Sequence, residues 1–332
     1  MKFIDLPESV QRDFIRNFSA RADIPEQVIE KDWWVSAVLR ALFCLPSAPA
    51  TSFKGGTSLS KCWNLISRFS EDIDIAITRE YLGYSGVLSK TQVSDKLRRA
   101  ACSFVRDKLQ YQLRDKMIDQ GVREEAFRIE VRITPITTTD PEIIYIHYKS
   151  VFEKLPYIKT CVKVEVSGRS MNEPLEMIKL SSMLEGEYPQ SPFVEDGFDV
   201  AVVKPERTFI EKICLLHEEF SKSSENIRVD RMSRHLYDVA LISGTPIAER
   251  ALNDKNLFDA VVEHRRKFIG LKGFDYSTLA PKTLNIIPPQ QVMPLWRADY
   301  EKMQRDMIYG QAPSFDEIIK TITELNRRIA LI

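Results

Sequence analysis

The feature that most restricts this chain is a glycine pair followed, after one short helix, by a strand carrying alternate aspartates. Phe53-Lys54-Gly55-Gly56-Thr57-Ser58 leads into a stretch whose Leu59, Cys62, Trp63 and Ile66 give a helix one apolar face, and Ser70-Glu71-Asp72-Ile73-Asp74-Ile75-Ala76-Ile77 follows. Successive side chains of a strand point to opposite faces. Asp72 and Asp74 therefore share a face, while Ile73, Ile75 and Ile77 are buried behind it. Two adjacent carboxylates repel each other, and a hard divalent cation such as Mg2+, bound through oxygen, relieves that repulsion. Upstream, glycine lets the backbone approach a ligand closely, and the N–H groups at a helix start suit a phosphate. Gly55, Gly56, Thr57 and Ser58 thus form a candidate phosphate grip, and Asp72 and Asp74 a candidate metal grip. A D-x-D alone is also a common solvated strand, so the expectation rests on the two signals occurring together.

With 332 residues, 44% hydrophobic, the chain can bury one large or two modest cores. Lys and Arg together number 47, as do Asp and Glu, so no net field draws a polyanion and any nucleic-acid surface must be local. The five cysteines have neither paired nor Cys/His ligand spacing, which points to free thiols in a reducing compartment. Charges interrupt every apolar run short of a membrane span, so no membrane partner is expected and a cytoplasmic location is.

Two amphipathic helices are expected between Glu8 and Phe43, the second placing Val28, Ile29, Trp33, Trp34, Val38 and Leu39 in the core. A long basic helix from about Thr91 to Gln120 reads either as a solvated face or as an RNA contact. Strands are expected at Phe127 to Ile133, Ile143 to Tyr148 and Ile158 to Ser167. In the last, Val162, Val164 and Val166 alternate with Lys163, Glu165 and Ser167, which makes Glu165 the better candidate for a third carboxylate, completing a metal cage or deprotonating a hydroxyl. Glu130, between Arg128 and Arg132, reads as a cross-strand ion pair. From Glu173 onward helical periodicity replaces strand signals, so a mainly helical second domain is expected. There Lys212 lies beside the stripe Phe209, Ile213, Leu216 and Phe220, and Arg231 and Arg234, three apart, would share a helix face. Such cations suit a triphosphate as well as an ordinary surface.

Taken together, Glu30-Lys31-Asp32-Trp33-Trp34, the Phe53 to Lys61 segment, Arg68-Phe69-Ser70-Glu71-Asp72-Ile73-Asp74 and Lys163-Val164-Glu165 resemble the AbiEii/AbiGii family of nucleotidyltransferase-like toxins. So do Glu206-Arg207-Thr208-Phe209-Ile210-Glu211-Lys212, Arg231-Met232-Ser233-Arg234-His235-Leu236-Tyr237-Asp238 and Asp299-Tyr300-Glu301-Lys302-Met303. The resemblance implies an α+β fold: a DNA-polymerase-β-like nucleotidyltransferase domain with a small mixed sheet and N-terminal helices over 1–170, then a mainly helical domain over 171–332. It also implies the toxin of a toxin–antitoxin or phage-abortive pair, with a cognate antitoxin as partner. Carried over, Gly56 and Thr57 hold phosphate, Asp72 and Asp74 the metal, and Glu165 takes the third carboxylate position. Lys212 contacts the nucleotide, and Asp238 is the final acidic motif. One departure is that Ser233-Arg234-His235 carries no acidic residue beside its basic one, which leaves open whether that motif is catalytic or only phosphate-binding.

The expected chemistry is transfer of a nucleoside monophosphate from an NTP to a hydroxyl, with one or two Mg2+ ions held by Asp72, Asp74 and Glu165. A tRNA 3′ end is a plausible acceptor. Two alternatives stay open: a small-molecule nucleotidyltransferase, and a catalytically retired NTP-binding or protein-interaction module.

Overall fold

The computed structural model describes residues 2–70, 72–132, 142–153 and 159–332. The chain forms two compact units, Met1–Cys62 with Ser70–Val203, and Trp63–Phe69 with Lys204–Ile332.

The first unit is built on one seven-stranded mixed sheet: β1 (Thr51–Lys54), β2 (Asp72–Ile77), β3 (Phe127–Arg132), β4 (Ile143–Tyr148), β5 (Cys161–Ser167), β6 (Leu175–Leu180) and β7 (Phe198–Val203), in the order β3-β4-β5-β2-β1-β7-β6. β2 lies at the centre, antiparallel to β1 and parallel to β5. Its burial alternates as the sequence predicts, with Ile73, Ile75 and Ile77 in the core and Asp72 and Asp74 half-buried on the other face. The ends of two expected strands, Ile133 and Ile158, lie outside the described residues.

Around the sheet are α1 (Glu8–Ala22), α2 (Glu26–Leu42), the short α3 (Gly55–Lys61), α4 (Leu97–Phe104), α5 (Gln110–Asp119) and α6 (Met183–Glu187). The stripe of α2 is core as expected: Trp34, 1% exposed, stacks on Tyr148 of β4 with ring centroids 5.0 Å apart. Burying such side chains stabilises the unit by roughly 1.5–3 kcal/mol each. The basic helix is present as α4 and α5, joined by a π-helical turn at Val105–Leu109. Its cations are largely spoken for. Arg99 pairs with Asp95, Arg106 with Asp107 and Glu142, Arg114 with Asp115 and Glu124, and Lys116 with Asp119.

The expected boundary at 170/171 falls between β5 and β6, inside the sheet, whereas the compact units divide at Val203 and Lys204. The reason is local. β6 is an edge strand whose residues are mostly exposed, so Leu-Glu-Met-Ile-Lys-Leu shows no clean alternation, and only pairing with β7 fixes it as a strand.

The second unit contains α7 (Pro205–Phe220), α8 (Ser233–Ser243), α9 (Pro246–Asn253), α10 (Lys255–His264), α11 (Met293–Met307) and α12 (Phe315–Ile329). α7 starts at the proline whose fixed φ and missing N–H suit a first helical position. It buries Phe209, Ile213, Leu216 and Phe220. Into this unit comes the segment Trp63–Phe69, which in sequence separates α3 from β2. The Phe69 N–H donates to the Met307 carbonyl at 2.6 Å, and the Tyr309 N–H to that of Ser67 at 3.2 Å. Among the described residues no helix is long and apolar enough to cross a membrane.

Candidate active site

β2 and β5 run parallel in a register that sets Asp72 opposite Lys163 and Asp74 opposite Glu165. Residues directly across a sheet share a face, so Asp72, Asp74, Lys163 and Glu165 make a block of four charged side chains. Their exposure is intermediate: 21% for Asp72, 25% for Lys163 and 28% for Glu165. Lys163 forms an ion pair with Glu165, and its Nζ lies 3.9 Å from Asp72 Oδ1. Burial works against the lysine's charge, but Asp72 and Glu165 more than offset it and raise its pKa.

The glycine turn abuts this block. Gly55 has φ +83°, a conformation that side chains rarely adopt, and a Cβ added there would lie 2.0 Å from Asp74 Oδ2. Lys54, the residue before it, is the register partner of Asp74. Glycine is thus required twice over, for the backbone turn and for the room taken by the aspartate. The hydroxyls behind the turn are engaged internally. Thr57 donates to the Asp72 carbonyl and lies 2.9 Å from Ser70 Oγ, while Ser58 donates to the Gly55 carbonyl at 2.9 Å. Thr57 thereby fastens α3 to the start of β2. The hydroxyl protons of Thr57 and Ser58 are thus engaged within the chain. At the other end of α3, Lys61 pairs with Asp32 of α2 at 2.6 Å, and Asp32 also accepts the Met183 N–H at 2.6 Å.

Glu130 lies on β3, separated from β2 by β4 and β5. Its carboxylate lies 3.0 Å from Arg128 of the same strand and 3.2 Å from the His147 ring of β4.

In the second unit, Lys212 and Asp238 meet. Asp238 is fully buried and accepts two bonds from Arg68, Nε to Oδ1 at 2.6 Å and NH2 to Oδ2 at 2.8 Å. Lys212 Nζ lies 2.9 Å from the same Oδ2 and 3.4 Å from His235 Nδ1. Burial opposes the charge on Asp238, yet Arg68 and Lys212 hold its carboxyl well below the usual range. Burial lowers Lys212, partly countered by Asp238. It also lowers His235, reinforced by Lys212 and Arg234, so the imidazole is neutral near pH 7. Arg68, 2% exposed, is the residue of this cluster to which the sequence alone assigns no role.

Arg231 and Arg234 do not share a helix face. Arg231 precedes α8 with φ +58°, and its N–H donates to Asp299 Oδ1 at 2.7 Å. The other oxygen of Asp299 accepts the Ser233 N–H at 2.9 Å, so this carboxylate caps the helix where the dipole favours negative charge. Arg228 is turned to Glu219, NH2 to Oε2 at 2.6 Å.

As to a metal, no group of three His, Cys, Asp or Glu side chains among the described residues is drawn together closely enough to hold an ion. The donor chemistry nevertheless fits a hard divalent cation, because Asp72, Asp74 and Glu165 are carboxylates on one face and two of them, Asp72 and Glu165, already attract a positive charge, the Lys163 ammonium.

The sequence matches the nucleotidyl transferase AbiEii toxin family of type IV toxin–antitoxin systems over residues 37–321, and the chain belongs to that family. Its fold is similar to that of MenT4, a nucleotidyltransferase toxin from Mycobacterium tuberculosis H37Rv. The TM-score is 0.55 at 16% identity, over 98% of this chain and 93% of that one. A second solved structure, JHP933 from Helicobacter pylori, aligns with a TM-score of 0.44 at 15% identity, over 93% of this chain and 94% of that one. No curated protein matches the chain.

Proposed function

We propose that this nucleotidyltransferase transfers a nucleoside monophosphate from an NTP to a hydroxyl of an RNA acceptor, a tRNA 3′ end being the favoured one, and that this transfer makes it the toxin of its pair. The observation that carries the reading is the placement of Asp72, Asp74 and Glu165 on one sheet face, with Gly55 against Asp74. Phosphoryl transfer depends mainly on positioning and on compensating charge. Asp72 and Asp74 would hold Mg2+, with Glu165 joining them or accepting the acceptor's proton. Bound there, the metal would supply charge to the phosphoryl oxygens.

The remaining roles belong to this chain's own side chains. The backbone of Gly55 and Gly56 presents N–H groups to phosphate, and Thr57 fixes α3 to β2 so that this turn and Asp72 keep their spacing. In the second unit Lys212, paired with Asp238, is the cation proposed to contact a nucleotide, and Arg231 and Arg234 are further cationic candidates. The test is to incubate the protein with each of the four NTPs labelled at the α-phosphate, with Mg2+ and total RNA. Label retained on RNA with release of pyrophosphate supports the reading; turnover that requires a small hydroxylated molecule instead would replace the acceptor.

A further inference from the structure

We propose that Lys163 is the internal counter-ion of the carboxylate face and competes with the divalent cation for Asp72 and Glu165, so that it sets how weakly the metal is held. The inference rests on the metal-dependent reading above and concerns a residue to which that reading gives no part.

The register brings it about. Lys163 lies two residues before Glu165 on β5, hence on the same face, and directly opposite Asp72 on β2. Its ammonium pairs with Glu165 and reaches to 3.9 Å of Asp72 Oδ1. These carboxylates are two of the three that the metal would use. The Lys163 ammonium therefore compensates charge that a divalent cation would also compensate, and the two positive charges repel each other at such distances. The arrangement lets the unit fold without metal, since three clustered carboxylates are not left to repel one another unopposed. It also imposes a condition on metal entry: Glu165 and Asp72 must loosen their hold on Lys163. The side chain is suited to that exchange. It is one-quarter exposed, and its long stem lets the ammonium swing away while the backbone stays in the sheet. A merely structural ion pair would stabilise the sheet and leave metal affinity unchanged.

Mn2+ titration followed by electron paramagnetic resonance measures the affinity directly, without turnover. In the full-length protein, Lys163→Met and Lys163→Gln should tighten Mn2+ binding by about tenfold, the scale expected for losing one partly screened charge a few ångströms away. Lys163→Arg should stay near wild type, and Asp74→Asn should lose the site. Thermal melting provides the second readout: Mg2+ should raise the melting temperature of Lys163→Met by more than it raises that of wild type. Equal Mn2+ affinities in wild type and both neutral variants would overturn the counter-ion role while leaving the metal reading intact. Absence of saturable Mn2+ binding in every variant would remove the metal reading and this inference with it.

Discussion

Removal of the Asp238 carboxylate should unfold the second unit selectively, because two cations depend on it. Asp238 is fully buried, and its partners Arg68 and Lys212 have side chains only 3% and 10% exposed. Breaking a buried pair by deleting one partner leaves a desolvated charge without compensation, at a cost of about 3–5 kcal/mol. Here Asp238→Ala orphans a guanidinium and an ammonium together, which puts the loss at or above the top of that range. Arg68→Met should cost less, since Asp238 keeps Lys212 as its partner. Hydrogen exchange resolves the effect by unit: amides of α7 and α8 should lose protection in Asp238→Ala, while those of β2 and β5 keep theirs. Protection in α7 and α8 reduced by less than about 1 kcal/mol, or reduced equally by Arg68→Met, would refute the view that this one carboxylate holds both cations.

Three further outcomes follow from the same geometry. Gly55→Ala should cost about 1–2 kcal/mol for its left-handed backbone alone; by pushing Asp74 aside it should also lower nucleotide transfer by about 10²-fold, and transfer at the wild-type rate would show that Asp74 need not sit where it does. The folded-state pKa of His235, which faces Lys212, Arg234, Asp238 and Arg68, is depressed below its unfolded value. Its contribution is therefore fully present above the unfolded pKa near 6.5 and is lost as pH falls below it. His217, lowered by burial, acts in the same direction. Denaturant melts should weaken from pH 7.5 to pH 5.5 and flatten in His235→Gln/His217→Gln; a slope unchanged in that double variant would assign the effect elsewhere. Glu130→Gln, at a largely exposed pair with Arg128, should change stability by less than about 1 kcal/mol and leave transfer in place, whereas its loss of transfer would return Glu130 to the site.

What could be read from the chain alone was whatever depends on a period of two or 3.6. Ile73, Ile75 and Ile77 against Asp72 and Asp74, or Val162, Val164 and Val166 against Lys163 and Glu165, announce their faces locally. Which residue stands opposite which was not legible. The register that sets Asp74 beside Glu165 is a long-range choice, and it brings Lys163 to Asp72 as well. Arg68 illustrates the same limit, since nothing near it in sequence announces its partner, which lies 170 residues away. The strand β7 carries a signal, in Val200, Val202 and Val203, but its partner β6 does not, and without the pairing the stretch from Glu173 onward reads as part of a helical domain. Arg231 and Arg234 failed as a pair because helical spacing was assumed through a turn that a positive φ breaks.

The proposed function ties toxicity to nucleotide transfer by the carboxylates on β2. It is tested most directly by expressing Asp72→Asn and Asp74→Asn beside wild type and measuring, for the same folded preparations, incorporation of α-labelled NTP into RNA and arrest of growth. Asparagine keeps the shape and removes one charge. The account predicts native melting curves, incorporation lower by ~10²–10³-fold and relief of growth arrest in step with it. Growth arrest that persists in a folded Asp72→Asn protein with no measurable incorporation would contradict the account, because toxicity would then arise from binding and not from transfer.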